Sequence, residues 1–439
     1  MTAFAFTNAN MVDMTSGKTI LAQTIIVRDG KIAAVGPSQA LPVPGDTIRI
    51  DATGKTLIPG LYDMHVHISP SNPDEGESME DALARGRSFL QVFLTSGVTT
   101  IRSMAGTPLH LALREEAASG KAISPRIFSC GPILETRFTF AEMAEFGELV
   151  TTPEAARAAV RRQKADGYDF IKVYNDIDAE IYDAIIETAR EIGIKVVGHV
   201  AFQKGLDGAL AARQDSIEHL RSYDFAADTR TGDVPWERYK GWLHTTQARL
   251  DELAERTAEA GVWNAPTMII DNNIRADDEM DKPHDPLPGY LPQWMVREMT
   301  SVDLGAIFSS EARTILKDGR AARGAMVAAL DRVGAGLLAG TDCPGCGLMP
   351  GRSIVQELEL MVEAGLSPWR ALRTATINAA EFLGEAGEGV IAPGARADMV
   401  LLDADPLQDI SALRKQSGVM ANSRWLPSAE IEAMIIAAH

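Results

Sequence analysis

Cysteine is scarce in this chain: Cys130, Cys343 and Cys346 are the only three among 439 residues. That is too few, and an odd number, for a disulfide framework. No apolar run approaches the roughly 20 residues that cross a bilayer. Met1 to Met14 lack the basic start and apolar stretch of a secretory leader, so a cytoplasmic protein without membrane contact is expected. Basic clusters are missing as well. Lys and Arg number 42 against 60 Asp and Glu, giving a formal net charge of −18. This argues against nucleic acid as a partner, because phosphate binding requires grouped cations; the acidity reads instead as a solvated surface. No glycine-rich dinucleotide fingerprint follows any strand-like segment, and no repeat or low-complexity tract is found. What remains is ordinary globular material, 46% hydrophobic and 23% charged, able to build a large core.

Both ends of the chain read as short β-strands. Ala3 to Asn8, Thr24 to Arg28, Lys31 to Val35 and Thr47 to Asp51 alternate in polarity, and Asp29-Gly30 is a hairpin turn between two of them. Gly394 to Asp403 and Gly418 to Trp425 look like further strands, so the two termini are expected to build one small β-domain. The long middle alternates strand and helix. Its candidate strands are Leu57–Met64, Val98–Ser103, Arg126–Gly131, Asp169–Tyr174, Lys195–Val200, Asp215–His219, Val262–Met268 and Gly336–Thr341. Between them lie helical patterns such as Pro153–Ala165, Ala179–Ile192, Leu206–Ala212 and Ser310–Val333, and Arg352 to Ala364 reads as an amphipathic outer helix. That count is the count of a (β/α)8 barrel; a doubly wound open sheet is the alternative. Three connections are unusually long: Ile133 to Thr152, Leu220 to Ala248 and Ile269 to Ser309. All three follow strands, so they are expected on the face where barrel enzymes keep their active sites, shaping a pocket.

Chemistry concentrates at the strand ends. His65-Val66-His67 closes an apolar strand behind a Pro-Gly turn, and residues two apart on a strand point to the same side, so both imidazoles can reach one metal ion. Lys172 interrupts the apolar run from Phe170 to Tyr174. Burying an ammonium costs several kcal/mol, so a lysine there is either purposeful or snorkels to solvent. His199 closes Lys195 to His199, and His219 closes Asp215 to His219; singly each is more often a satisfied core histidine than a ligand. Asp342 follows Leu337 to Thr341, where a carboxylate can ligate zinc or take a proton, or cap a turn. Gly340 beside it lets backbone pack closely.

In this order, with His-x-His on strand one, Lys on strand four, His on five and six, and Asp on eight, the chain resembles the amidohydrolase superfamily. Flanking segments agree: VRDGKIAAVG, GKTLIPGLYDMHVH, SGVTTIRSM, DSIEH, LAGTD and the tail ATINAAEFLGEAGEGVIAPGARADMVLLD. The likeness spans nearly the whole chain. It points to the prolidase-like and imidazolonepropionase-like branch, which includes Xaa-Pro dipeptidases, N-acyl amino acid hydrolases and ochratoxinase-like amidases. The resemblance implies a barrel over 58–388 and a β-sandwich domain from 1–57 and 389–439. It also implies two Zn²⁺ ions per chain held by His65, His67, His199, His219 and Asp342, with N6-carboxylated Lys172 bridging them, and homo-oligomers. Asp342 then serves as the proton carrier, and the reaction is hydrolysis of an amide of the peptide-like, N-acyl amino acid or Xaa-Pro type in a small-molecule substrate. Forming the carbamate requires a neutral amine, which burial of Lys172 favours. Two positions depart from the branch: Ala201 stands where many members place a second histidine, and Arg102-Ser103 where many read Arg-Asp.

A substrate carboxylate would need a cationic or hydrogen-bonding partner from elsewhere. Tyr174 and Tyr223, just beyond Lys172 and His219, and the loop arginines Arg137, Arg221 and Arg230 are the candidates; for each arginine singly, pairing with a surface acid is the ordinary fate. Cys343-Pro344-Gly345-Cys346 matches a redox spacing but follows Asp342 in a loop, so loop shaping is expected of it. His110, His244 and His284 are expected at the surface. Rival functions on the same scaffold are a cyclic-amide, lactone or phosphotriester hydrolase, a mononuclear deaminase, or a non-catalytic scaffold. A disulfide oxidoreductase rests on the cysteine pair alone.

Overall fold

The computed structural model describes residues 3–138, 141–231, 239–279, 286–300 and 307–437. The chain begins with strands β1 (Ala3–Asp13), β2 (Lys18–Arg28), β3 (Lys31–Pro37), β4 (Thr47–Asp51) and β5 (Thr56–Pro59). Asp29 and Gly30 both take positive φ, 54° and 73°, as a tight hairpin turn between β2 and β3 requires. The predicted strand from Leu57 to Met64 is divided at Gly60, whose N–H donates to Asp398 O, so β5 joins the terminal sheet and β6 (Leu61–Val66) starts the parallel one.

The parallel region continues with β7 (Val98–Ser103), β8 (Arg126–Ser129), β9 (Ile133–Glu135), β10 (Gly147–Leu149), β11 (Phe170–Val173), β12 (Lys195–Gly198), β13 (Ser216–Glu218) and β14 (Trp263–Ala265). Every residue of β6, β7 and β11 is buried, as expected of parallel strands covered on both faces. Two parallel sheets result, β6-β7-β8 and β10-β9-β11-β12-β13-β14, and a parallel bridge between Cys130 and Phe170 links them. The segment expected as a strand from Gly336 to Thr341 has no regular ladder. It bonds on one side to β14, through Asn264 N to Gly336 O and Leu338 N to Asn264 O. On the other side it meets β6, through Met64 N to Ala339 O and Thr341 N to His65 O. Helices such as Pro153–Ala165, Ala179–Ile192 and Arg352–Glu363 alternate with the strands, giving a TIM-barrel-like α/β fold. The helical stretch expected from Ser310 to Val333 is two helices, Ser310–Asp318 and Arg320–Arg332, broken at Gly319.

The chain ends in β15 (Met399–Leu402), β16 (Gln416–Ala421), β17 (Arg424–Pro427) and a helix, Ser428–Ala437. These strands share a sheet with the N-terminal ones in the order β17-β16-β15-β5-β1-β2-β3, with β4 on β1. Phe6, Ile25, Leu57, Met399 and Met420 form its core. The long connections carry structure of their own: β9 and β10 lie within the first, and the helices Tyr223–Ala227 and Met268–Asn273 follow β13 and β14. No described helix is long and apolar enough to cross a membrane.

Candidate active site

His65 is the fifth residue of β6 and is fully buried, whereas His67, just past the strand end, is about one-third exposed at its side chain. Lys172 is on β11, and His199 and His219 stand immediately after β12 and β13. Asp342 follows the segment that bridges β14 and β6. All six line one cavity of about 520 Å³ beyond the carboxyl ends of these strands, together with Tyr174 and Arg221. The close approach depends on Gly340: a Cβ there would lie 2.7 Å from His65 Cβ.

Asp342 brings three of the histidines together. Its Oδ1 is 3.2 Å from His65 Nε2 and 3.1 Å from His67 Nε2, and its Oδ2 is 3.9 Å from His219 Nε2. The His65 and His219 rings lie 4.6 Å apart, and those of His199 and His219 lie 4.9 Å apart. Three histidines have their other nitrogen occupied by protein. His65 Nδ1 donates to Glu218 Oε2 at 2.9 Å, His199 Nδ1 meets Asn175 Oδ1 at 2.9 Å, and His219 Nδ1 lies 2.6 Å from Thr267 Oγ1. Such partners fix ring orientation and leave Nε2 as the free edge. The Nε2 of His199 is buried without a hydrogen-bond partner, a costly state unless something binds it, and that of His65 faces only Asp342 Oδ1. Ligand atoms of His65, His219 and Asp342 lie within 4.8 Å of one another, close enough to share one ion. The donor set of imidazoles and a carboxylate fits a divalent metal of the zinc type.

The electrostatics agree with that fit. Burial pushes His199 and His219 well below the ordinary imidazole value and lowers His67 as well, which keeps these rings neutral and able to ligate. Burial likewise lowers the Lys172 amine. Burial alone would raise Asp342, but His65 and His219 outweigh it and hold the carboxyl well below its usual range. Backbone strain gathers here too. His219, Thr267 and Asp342 have φ of 60°, 45° and 64°, conformations that L-residues adopt at a cost on the order of 1–3 kcal/mol each and that cluster at functional sites.

Beneath the histidines lies a buried charge relay that sequence reasoning missed. Arg102 on β7 donates to Met64 O, to Ser216 Oγ at 3.1 Å and to Glu218 Oε1 at 2.9 Å. Its guanidinium also sits over the rings of Phe382 and Phe170, at 5.1 and 5.8 Å. Burial pushes Glu218 up, yet Arg102 and His65 dominate and hold it down at about 2. Asp63 plays a related part, accepting from the Thr341 hydroxyl at 2.7 Å and its amide at 3.1 Å, which fastens the segment bearing Asp342 to β6. A charge inside an all-buried strand, the cue that marked Lys172, also marks Arg102 and Glu218.

Of the candidate substrate contacts, Tyr174 stacks on His199 with ring centroids 4.0 Å apart. Arg221 donates to Tyr239 Oη at 3.3 Å, while its Nε is buried without a partner. Three candidates are corrected. Tyr223 points into the core, its hydroxyl 2.8 Å from Thr257 Oγ1, because the positive φ of His219, Leu220 and Ser222 turns the chain before it. Arg137 pairs with Asp176 at 3.1 Å and Arg230 with Asp228 at 2.6 Å, both outside the cavity lining. His110, expected at the surface, is buried and lies 3.0 Å from Ala105 O, while His284 falls outside the described residues. Pro344 and Cys346 line the cavity and Cys343 is buried beneath them; all three cysteines are free thiols.

Fold and site together define a TIM-barrel-like α/β protein with a histidine-carboxylate cluster at its strand ends. The Amidohydrolase family profile matches residues 56–426, and the chain belongs to that family; the homologues it matches are hydrolases acting on carbon–nitrogen bonds. The chain is similar to the enamidase of Eubacterium barkeri, 24% identical over 392 residues that cover 89% of this chain and 83% of the enamidase. It is equally similar to the imidazolonepropionase of Geobacillus sp. (strain WCH70), 24% identical over 421 residues, with coverage of 87% and 83%. Among solved structures, a Xaa-Pro dipeptidase with bound methionine in the active site superposes with a TM-score of 0.71. That match covers 97% of this chain and all of the other at 21% identity, a likeness of fold alone.

Proposed function

We propose that this enzyme uses two divalent metal ions, zinc being the expected one, to hydrolyse the amide bond of a small substrate carrying a free carboxylate, such as an N-acyl amino acid or a dipeptide. The carrying observation is the convergence of His65, His67, His219 and Asp342, with Nδ1 of both His65 and His219 already engaged by protein. His65, His67 and Asp342 would hold one ion and His199 and His219 the other, with Lys172 as an N6-carboxylated bridge. The parallel bridges from β6 round to the segment 336–343 and back to β6 support reading the core as a closed (β/α)8 barrel over 58–388. The shared terminal sheet supports a second domain from 1–57 and 389–439.

When bound, the metal pair supplies a water of lowered pKa and a Lewis acid for the scissile carbonyl. Asp342 is the base that takes the proton from the attacking water and returns it to the leaving nitrogen. Tyr174, stacked on His199, borders the reacting carbonyl. Arg221 presents a guanidinium edge to the cavity and is the partner for the substrate carboxylate. Ile133, Met143 and Phe146 line the same cavity and suit an apolar acyl arm.

The test compares an N-acyl amino acid with its carboxamide on the wild type and on Arg221→Met. Amidation should cut kcat/KM at least tenfold in the wild type, on the order of one charge-assisted hydrogen bond, and change little in the variant. Equal turnover of acid and amide by the wild type would exclude carboxylate recognition and move the substrate class to neutral amides, lactones or cyclic substrates.

A further inference from the structure

The helix Arg352–Glu363 presents Ile354, Val355, Leu358 and Met361 to the core, and Glu357 stands on the same face, 0% exposed. An acid there breaks the amphipathic pattern. Its two oxygens are both occupied. Met268 N donates to Oε1 at 3.0 Å and Ile269 N to Oε2 at 2.8 Å. These are the first two amides of the short helix Met268–Asn273, which has no side-chain cap of its own at Thr267. Glu357 therefore satisfies from another element the donors that a cap would otherwise take.

The residue fixed just ahead of those amides is Thr267. Its backbone sits in the left-handed region, φ 45° and ψ 46°, and its hydroxyl lies 2.6 Å from His219 Nδ1. A threonine relaxes from that conformation unless its neighbours hold it. The same short helix supplies Ile270 and Asp271 to the cavity wall, and Asn273 donates to Cys346 O at 3.0 Å in the loop after Asp342. One buried carboxylate thus anchors a segment that touches a ligand histidine, the cavity wall and the loop beyond the proton carrier.

We infer that Glu357 is a positioning residue. By clamping the amides of Met268 and Ile269 it holds Thr267 in its strained conformation, and through Thr267 it sets the orientation of His219 for metal binding. This rests on the metal-dependent reading above.

The experiment measures two quantities on wild type, Glu357→Gln, Thr267→Val and the double variant: amide hydrogen exchange over 267–274 in metal-free protein, and zinc affinity by chelator competition. A Gln offers one acceptor where two are used and turns an amino group toward an N–H donor. Glu357→Gln should therefore raise exchange over 267–274 at least tenfold while leaving peptides of β1 and β2 unchanged. Zinc affinity should fall 10–100-fold in Glu357→Gln and in Thr267→Val, as for other partners that orient a ligand. The double variant should fall no further than the worse single one, because both act along one path. Thr267→Ser, which keeps the hydroxyl, should restore affinity. Glu357→Asp, with its carboxylate drawn back by one methylene, serves the same measurements if the Gln variant does not fold. Unchanged exchange and affinity in Glu357→Gln, or additive losses in the double variant, would overturn the positioning role. Wild-type protein that binds no zinc would instead sink the metal reading, while the exchange measurement still decides the clamp.

Discussion

Replacing Glu218 by Gln tests the buried relay most sharply. Glu218 is fully buried between Arg102 at 2.9 Å, Ser216 at 2.5 Å and His65 Nδ1 at 2.9 Å. The amide leaves the Arg102 charge in the interior without its counter-ion and turns its own donor either toward His65 Nδ1 or toward the Arg102 and Ser216 donors on the other oxygen. Breaking a buried pair from one side costs about 3–5 kcal/mol, much of it the penalty of the stranded charge. Urea unfolding of metal-free protein should show that loss as a lower midpoint at unchanged slope. Arg102→Met in the same chain removes the stranded charge and keeps a long apolar side chain against Phe170 and Phe382. The double variant should therefore be more stable than the sum of the single effects by at least about 2 kcal/mol. Zinc affinity should fall 10–100-fold in Glu218→Gln, because His65 loses the carboxylate that fixes its ring. A loss below about 1 kcal/mol, or additive effects of the two changes, would refute the relay as an interacting unit.

Three other outcomes are expected. Asp342→Asn keeps the size of the side chain but removes the proton acceptor, so kcat should fall 10²–10⁴-fold with a much smaller change in KM; near wild-type turnover would assign proton transfer to another group. Lys172→Ala should be nearly inactive and partly rescued by short carboxylic acids that replace a carbamate, and a variant of full activity would remove the bridge from the account. Burial lowers His110 from 6.5 to about 4. Between those values the unfolded chain takes a proton that the folded one refuses, so stability falls as pH drops through this window, by up to about 3 kcal/mol. His110→Gln should flatten that part of the pH–stability curve, and an unchanged acid limb would contradict the assignment.

Much of the candidate site was legible because its residues violate their local pattern. Lys172 sits in a fully buried strand, and His65, His199 and His219 each stand at or beside the end of an apolar run, which is why a strand-by-strand reading isolates them. The terminal strands were legible through alternation and the Asp29-Gly30 turn. The supporting residues were not read, since Asn175, Thr267 and Glu357 act across long sequence separations and look like ordinary turn or helix residues until the fold brings them to a histidine or to a backbone amide. Tyr223 shows the converse limit. Four residues beyond a candidate ligand is close in sequence, but the left-handed backbone of His219 itself and of Leu220 and Ser222 between them rotates the side chain into the core. Arg137 and Arg230 met the commoner fate of loop arginines, an ion pair with a nearby acid.

Metal analysis coupled to activity tests the central proposal most directly. Protein prepared with zinc should contain about two ions per chain by elemental analysis. Chelation should remove them together with hydrolysis of the amide substrate, and zinc should restore both. Protein that hydrolyses an amide at full rate while holding no metal would contradict the account.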